Sequence, residues 1–306
     1  MNAIRISKEL MDQFAQKKSN RYVVHSIFKE AINLMDDSGE LITLLTENKD
    51  LAPMSIVIFG RSAYFRNILA NDEVEVTNSG MRFIHSQIEL DFSSAVVTPC
   101  ILMLEGKALD SENQIIKMNQ MRNILCDRGE SSGILPLLNT VERYKGISID
   151  SSNLRMNTYC EFIQGVFTEI IKNLDQKNFE GVVSWLPKFI GFGPGLTPST
   201  DDFLTGAILT LIASAAMGED STEAVEELAQ NIYSFSVGRT TKVSETMLKQ
   251  AALGRASENH LKVVQSLFIS NNLNFEFLVK RVLANGATSG ADFLLGVYCA
   301  MVLSKY

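Results

Sequence analysis

The sequence is poor in paired cysteine, in histidine and in positive charge, and each shortage removes a class of function. Its four cysteines, Cys100, Cys126, Cys160 and Cys299, are scattered with no C-x-x-C pair. That spacing suits neither a zinc site nor a disulfide framework, and reduced thiols in a cytoplasmic protein are the expectation. There are three histidines, no two of them at metal-ligand spacing. No G-x-S-x-G elbow is present and no cysteine stands near a candidate base, so zinc-hydrolase and covalent-triad chemistry have little support. Lys+Arg 28 against Asp+Glu 35 leaves a formal net charge of −7, and a chain of that sign has no general attraction for phosphate backbones or anionic lipid. Neither nucleic acid nor a membrane is expected as a partner. Met1 to Phe14 lacks the apolar run of a secretory signal. The longest apolar stretch, Phe203 to Met217, is too short to span a bilayer comfortably and holds Thr205, Thr210 and Ser214; it reads as a buried helix.

What is present is 306 residues, 46% hydrophobic and 21% charged, enough for one sizeable core or two ordinary ones. The two halves are patterned differently. Short apolar runs at Ile32–Met35, Leu41–Leu45, Met54–Phe59, Val74–Thr77 and Met81–Leu90 are separated by turn residues, including Asp36-Asp37-Ser38-Gly39 and Asn78-Ser79-Gly80. They predict a small antiparallel β domain. From about residue 108 the period becomes helical, as in Ile115, Ile116, Met118, Met121, Ile124 and Leu125, and again in Tyr159, Phe162, Ile163, Val166, Phe167, Ile170 and Ile171. Helix starts are expected at Ser199, Ser221, Ser244, Ser257, Asn274 and Ser289, with stops at Gly218, Gly254 and Gly286. The prediction is an α+β protein, with a mainly β domain over 1–107 and a mainly α-helical domain over 108–306.

Three stretches concentrate unusual residues. In Gly191-Phe192-Gly193-Pro194-Gly195-Leu196-Thr197-Pro198-Ser199-Thr200-Asp201-Asp202, three glycines within five residues lead straight into a helix start. Such a loop can bring backbone N–H groups against an anion, though it is neither a Walker A loop nor a dinucleotide fingerprint. A plain helix–helix connector is the competing reading. The pattern Ser-x-x-Asp-Phe-Leu-x-Gly then occurs twice, from Ser199 to Gly206 and from Ser289 to Gly296. Each serine is expected to cap its helix and each aspartate, Asp202 and Asp292, to return a bond to the cap, with the glycines allowing close helix approach. Asp201 is a further carboxylate that capping does not need. A phosphate beside Asp201 and Asp202 requires a bridging cation such as Mg²⁺, unless the aspartates accept N–H bonds from a ligand amide instead. The third stretch, Gly238-Arg239-Thr240-Thr241-Lys242-Val243-Ser244, offers a guanidinium fork and hydroxyls ahead of another helix, against the alternative of an ordinary corner with a solvated arginine. Of the histidines, His25, in a strand-like run, is retained as a candidate ligand-binding residue.

At these residues the chain resembles a family, formerly a domain of unknown function, that includes the AllH subunit of oxamate carbamoyltransferase. The resemblance rests on Gly193-Pro194-Gly195-Leu196-Thr197-Pro198-Ser199 with Asp201-Asp202-Phe203-Leu204, on Arg239-Thr240-Thr241 with Ser244, on Ser289-Gly290 with Asp292, and on His25-Ser26-Ile27-Phe28. Two positions depart from the family pattern: Thr200 stands where glycine is common, and Ala287 where histidine is common. The resemblance implies a role in allantoin or purine nitrogen catabolism, in which a complex of this subunit with others converts oxalurate and phosphate to oxamate and carbamoyl phosphate. In that setting the Gly193–Ser199 backbone with Arg239 would bind the phosphate or carboxylate end. Asp202 and Asp292 would accept bonds from the carbamoyl or oxamate NH₂. Gly195, Thr197, Thr240, Thr241, Ser244 and Ser289 would complete the ligand-binding set. Two other readings remain open: a non-catalytic assembly subunit, and a stand-alone Mg²⁺-dependent enzyme acting on a small phosphorylated metabolite.

Overall fold

A computed structural model describes residues 1–16, 21–60, 62–77, 79–147 and 154–305. The chain separates into two compact units, Met1–Ile101 with Ala256–Glu258, and Leu102–Arg255 with Asn259–Tyr306.

The first unit is one nine-stranded sheet. Its strands are β1 (Ala3–Ser7), β2 (Arg21–Ile27), β3 (Ala31–Asp36), β4 (Leu41–Thr46), β5 (Ser55–Ile58), β6 (Glu73–Thr77), β7 (Gly80–Phe83), β8 (Ile88–Asp91) and β9 (Val96–Thr98). They lie in the order β8-β7-β6-β2-β3-β4-β5-β1-β9. The sheet curls until Asn2, ahead of β1, bridges Asp91 at the end of β8. Alternate residues point inward and are buried, as with Tyr22 and Val24 on β2, Ile32 and Leu34 on β3, and Val74 and Val76 on β6. Leu10 and Phe14 of helix α1 (Lys8–Gln16) join the same core. The β3–β4 hairpin forms where expected. Asp36 Oδ1 accepts the N–H of Ser38 and of Glu40, each at 2.9 Å, and Gly39 takes φ +81°, which a side chain would strain. The sheet is antiparallel-rich rather than wholly antiparallel, because β4 pairs with β5 and β1 with β9 in parallel. The single run expected over Met81–Leu90 is two strands with a turn between them. Asn78 of the second expected turn lies outside the described residues.

The second unit is helical: α2 (Ser111–Arg128), α3 (Leu138–Tyr144), α4 (Thr158–Asp175), α5 (Phe179–Phe189), α6 (Ser199–Ala216), α7 (Thr222–Ser236), α8 (Lys242–Ala251), α9 (Glu258–Phe268), α10 (Phe275–Leu283) and α11 (Ser289–Lys305). Ser221 and Asn274 cap α7 and α10, accepting the N–H of Ala224 and Phe277. Gly218, Gly254 and Gly286 end α6, α8 and α10 with φ between +65° and +81°. Ser244 is not a start: Thr241 caps α8, its hydroxyl accepting Ser244 N–H at 3.1 Å, because that hydroxyl stands one turn earlier. Phe162, one of the apolar residues at helical spacing on α4, is 77% exposed and stacks on Phe192 with ring centroids 5.5 Å apart. The apolar stretch from Phe203 is a buried helix as expected. No helix among the described residues is long and apolar enough to cross a membrane.

Candidate functional site

The repeated motif builds the centre of the helical unit. α6 and α11 cross at equivalent points of the two copies. A Cβ on Gly206 would stand 2.1 Å from the carbonyl oxygen of Phe293, and one on Gly296 would stand 2.0 Å from that of Phe203. Backbone therefore rests on backbone, which glycine alone permits. The N-terminal ends lie side by side, with Thr197 Oγ1 and Ser289 Oγ 2.8 Å apart.

The expected capping boxes do not form. Pro198, with no side-chain bond to give, is the cap of α6, and its carbonyl accepts Asp202 N–H at 3.1 Å; Asp292 N–H goes to the Thr288 carbonyl at 2.9 Å. The two carboxyls instead reach across the crossing as well as to the threonines ahead of their own helices. Asp202 lies against the hydroxyls of Ser289 and Thr197, and Asp292 against those of Ser199 and Thr288. Asp292 Oδ1 also accepts the N–H of Ile134 at 2.8 Å. Both aspartates are buried, Asp202 4% exposed and Asp292 fully enclosed. Burial pushes the Asp202 carboxyl well above the usual carboxylate range; the neighbouring hydroxyls oppose the rise and the Asp292 charge adds to it. Burial raises Asp292 to about 6, held back by Ser199 and by the Ile134 N–H. Asp202 Oδ2, Asp292 Oδ2 and Ser199 Oγ nonetheless lack a well-formed hydrogen bond. Each such orphan costs stability, on the order of 1–3 kcal/mol, so three around one crossing mark a place where a ligand or a shared proton would be welcome.

Asp201 has a different part. Its Oδ1 accepts Gly191 N–H at 2.8 Å, and its Oδ2 accepts the hydroxyls of Thr240 at 2.5 Å and Ser244 at 2.6 Å. Thr241 donates its hydroxyl to the Leu196 carbonyl. A Cβ on Gly191 would stand 2.5 Å from the Arg239 carbonyl. The glycine loop is thus fastened to the corner before α8 by side chains from both motifs. Gly193, at φ +118°, sits on the first turn of α6, where a Cβ would meet Ser199 N at 2.7 Å. Thr200 N–H is taken by the Phe192 carbonyl at 3.1 Å, so the loop itself fills part of the helix N-terminus.

The structure therefore brings Gly193, Thr197, Ser199, Asp202, Ser289 and Asp292 together, and sets Thr240, Thr241 and Ser244 behind them as supports. Gly195 is exposed at the loop tip. Arg239 is exposed too, its guanidinium over the Phe235 ring and donating to the Phe235 carbonyl at 3.3 Å. His25 lies in the other unit, exposed at a bulge between β2 and β3, with its Nδ1 3.2 Å from Ser26 Oγ. A Mg²⁺ shared by Asp201 and Asp202 does not fit. Both Asp201 oxygens are already engaged by three donors, and no group of three metal-ligating side chains occurs among the described residues. Sequence reasoning missed Gly133 and Ile134, which cover Asp292; a solitary glycine in a serine-rich turn carries no signal of a partner 158 residues away from its neighbour Ile134.

Two family models match the chain. One, described as oxamate carbamoyltransferase subunit AllH, matches residues 189–301, which contain the crossing, the glycine loop and the corner before α8. The other, described as the AllH family N-terminal domain, matches residues 2–97. No solved structure matches.

Proposed function

The chain belongs to the AllH family, and on that premise we propose that it supplies the ligand site of a carbamoyltransferase complex. The reaction is attack of phosphate oxygen on the carbamoyl carbon of oxalurate: the C–O bond forms, the C–N bond breaks, and the departing nitrogen takes a proton to give oxamate beside carbamoyl phosphate. We place the work in the cytoplasm, in allantoin or purine nitrogen catabolism. The observation that carries the reading is the facing pair Asp202 and Asp292, each buried with one carboxyl oxygen unpartnered.

The unpartnered carboxyl oxygen on each side suits a ligand rich in N–H, and a carbamoyl or oxamate NH₂ offers two. The raised Asp202 carboxyl suits proton delivery to a departing nitrogen. The Gly193–Thr197 backbone and the hydroxyls of Thr197, Ser199 and Ser289 are donors for the carboxylate or phosphate end, with Arg239 at the outer margin. Donors fixed in advance stabilise the tetrahedral oxyanion without a covalent nucleophile. A second reading, in which the crossing is a packing device of an assembly subunit, is favoured by the near-complete burial of both carboxyls. A thermal-shift titration of the full chain with carbamoyl phosphate, oxamate and oxalurate, each with and without Mg²⁺, separates the two. The ligand-site reading predicts stabilisation by at least one of them, about 2.7 kcal/mol at a hundredfold excess over Kd. A Mg²⁺-independent shift would set aside the Mg²⁺-dependent enzyme as well, whereas no shift with any ligand favours the packing device.

A further inference from the structure

The environments of the two aspartates differ in one respect that neither repeated motif explains. Asp202 is met by hydroxyls, which can turn to donate or accept. Asp292 is met in addition by a backbone N–H, which can only donate and cannot rotate away. That N–H belongs to Ile134, and the residue before it, Gly133, lies so close that a Cβ there would stand 2.3 Å from Asp292 Oδ2 and 2.7 Å from Oδ1. Both residues belong to the loop between α2 and α3. Asn157 ties it at two points, its Nδ2 donating to the carbonyls of Ser131 and Gly133, each at 2.7 Å, while Cys160 Sγ lies 3.5 Å from the Gly133 carbonyl and Glu130 Oε1 accepts Ser132 N–H at 3.1 Å. The same Asn157 caps α4, its Oδ1 accepting Cys160 N–H at 2.9 Å. Gly133, Ile134 and Asn157 all fall between the stretches matched by the two family models.

We propose that Asn157 is a positioning residue which, through the Ser131–Ile134 loop, fixes the Asp292 carboxylate as the oriented acceptor of the ligand's N–H group. This rests on the reading of Asp292 as a ligand contact. The side chain's two bonding functions can be separated by substitution. Asn157→Ser keeps a neutral helix cap but is too short to hold both carbonyls. Asn157→Ala removes cap and fastening together. Gly133→Ala attacks the loop from the other side, through the Cβ clash with Asp292.

The experiment uses the full-length chain, with two readouts: hydrogen exchange at the Ile134 amide, and the thermal shift produced by oxamate. If Asn157 positions Asp292, Asn157→Ser, Asn157→Ala and Gly133→Ala all speed Ile134 exchange about tenfold or more and lose most of the oxamate shift, while only Asn157→Ala carries the full loss of the α4 cap in its ligand-free melting temperature. Asn178→Ser, the same exchange at the cap of α5, leaves both readouts unchanged. If Asn157 serves only as a cap, Asn157→Ser behaves as wild type in both, and the proposal is overturned. Rapid Ile134 exchange with an intact oxamate shift would overturn it too. Absence of any oxamate shift in the wild-type chain would refute the ligand contact on which it rests, and the exchange readout would still decide whether Asn157 governs the loop over Asp292.

Discussion

The close crossing of α6 and α11 makes a prediction whose sign runs against ordinary helix propensity. Replacing a helical glycine by alanine usually stabilises, by roughly 0.5–1 kcal/mol, because alanine loses less backbone entropy on folding. Gly165 on α4, where an added Cβ meets nothing within 4 Å, should behave so. Gly206 should do the reverse. Its Cβ would stand 2.1 Å from Phe293 O and 3.0 Å from Val297 N, both backbone atoms that no rotamer change can move. Reaching ordinary van der Waals separation requires the helices to part by about 1 Å, which loosens the buried Phe203 and Phe293 on either side of the crossing. Overpacking of this kind costs about 1–3 kcal/mol, outweighing the propensity gain. With roughly 2–4 °C of melting temperature per kcal/mol for a unit of this size, Gly206→Ala should melt several degrees below wild type and Gly165→Ala a degree or more above it. Because one separation relieves both clashes, adding Gly296→Ala to Gly206→Ala should cost less than the sum of the single effects. Denaturant unfolding of the four variants measures this directly. A Gly206→Ala protein as stable as Gly165→Ala would show that the helices do not rest on each other's backbone.

Asp202 and Asp292 have carboxyls raised in the folded chain, so their contribution to stability is fully present below the unfolded value near 4 and is lost as pH rises through the folded one, about 6 for Asp292. Melting temperature should therefore fall between pH 4 and pH 8. Asp202→Asn should flatten that fall; a variant whose melting curve tracks wild type at every pH contradicts the assignment. Asp201→Asn, which turns a donor towards Gly191, Thr240 or Ser244, should cost about 2 kcal/mol and release the Gly191–Thr197 amides to faster hydrogen exchange; unchanged exchange would mean the loop is held by other bonds.

Local chemistry made much of this architecture readable in advance. Asp36 to Gly39 announces a hairpin because its bonds run within five residues, and the glycine stops of α6, α8 and α10 follow from their positive φ. The repeated Ser-x-x-Asp-Phe-Leu-x-Gly correctly picked out two packed helices. What escaped were partners distant in sequence. The parallel pairs β4–β5 and β1–β9 have no hairpin signature. The aspartates read as capping their own helices, since a single helix offers no view of the other helix across the crossing. Asp201 read as a spare charge because two of its three donors arise near residue 240, and Gly133 carried no signal of its place over Asp292. In each case the residue types were visible and the direction of the side chain was not.

The central claim is that Asp202 and Asp292 meet a ligand. Calorimetric titration of oxamate into the full-length chain and into Asp202→Asn and Asp292→Asn tests it most directly. Asp292→Asn puts an N–H donor where an acceptor stood, and Asp202→Asn takes away a titratable proton beside it, so the account predicts measurable binding to the wild-type chain, weaker binding to both variants, and at least about tenfold weaker binding to Asp292→Asn, the scale of one hydrogen bond to a charged group. Variants that bind oxamate as tightly as wild type would contradict it and leave the crossing as a packing device.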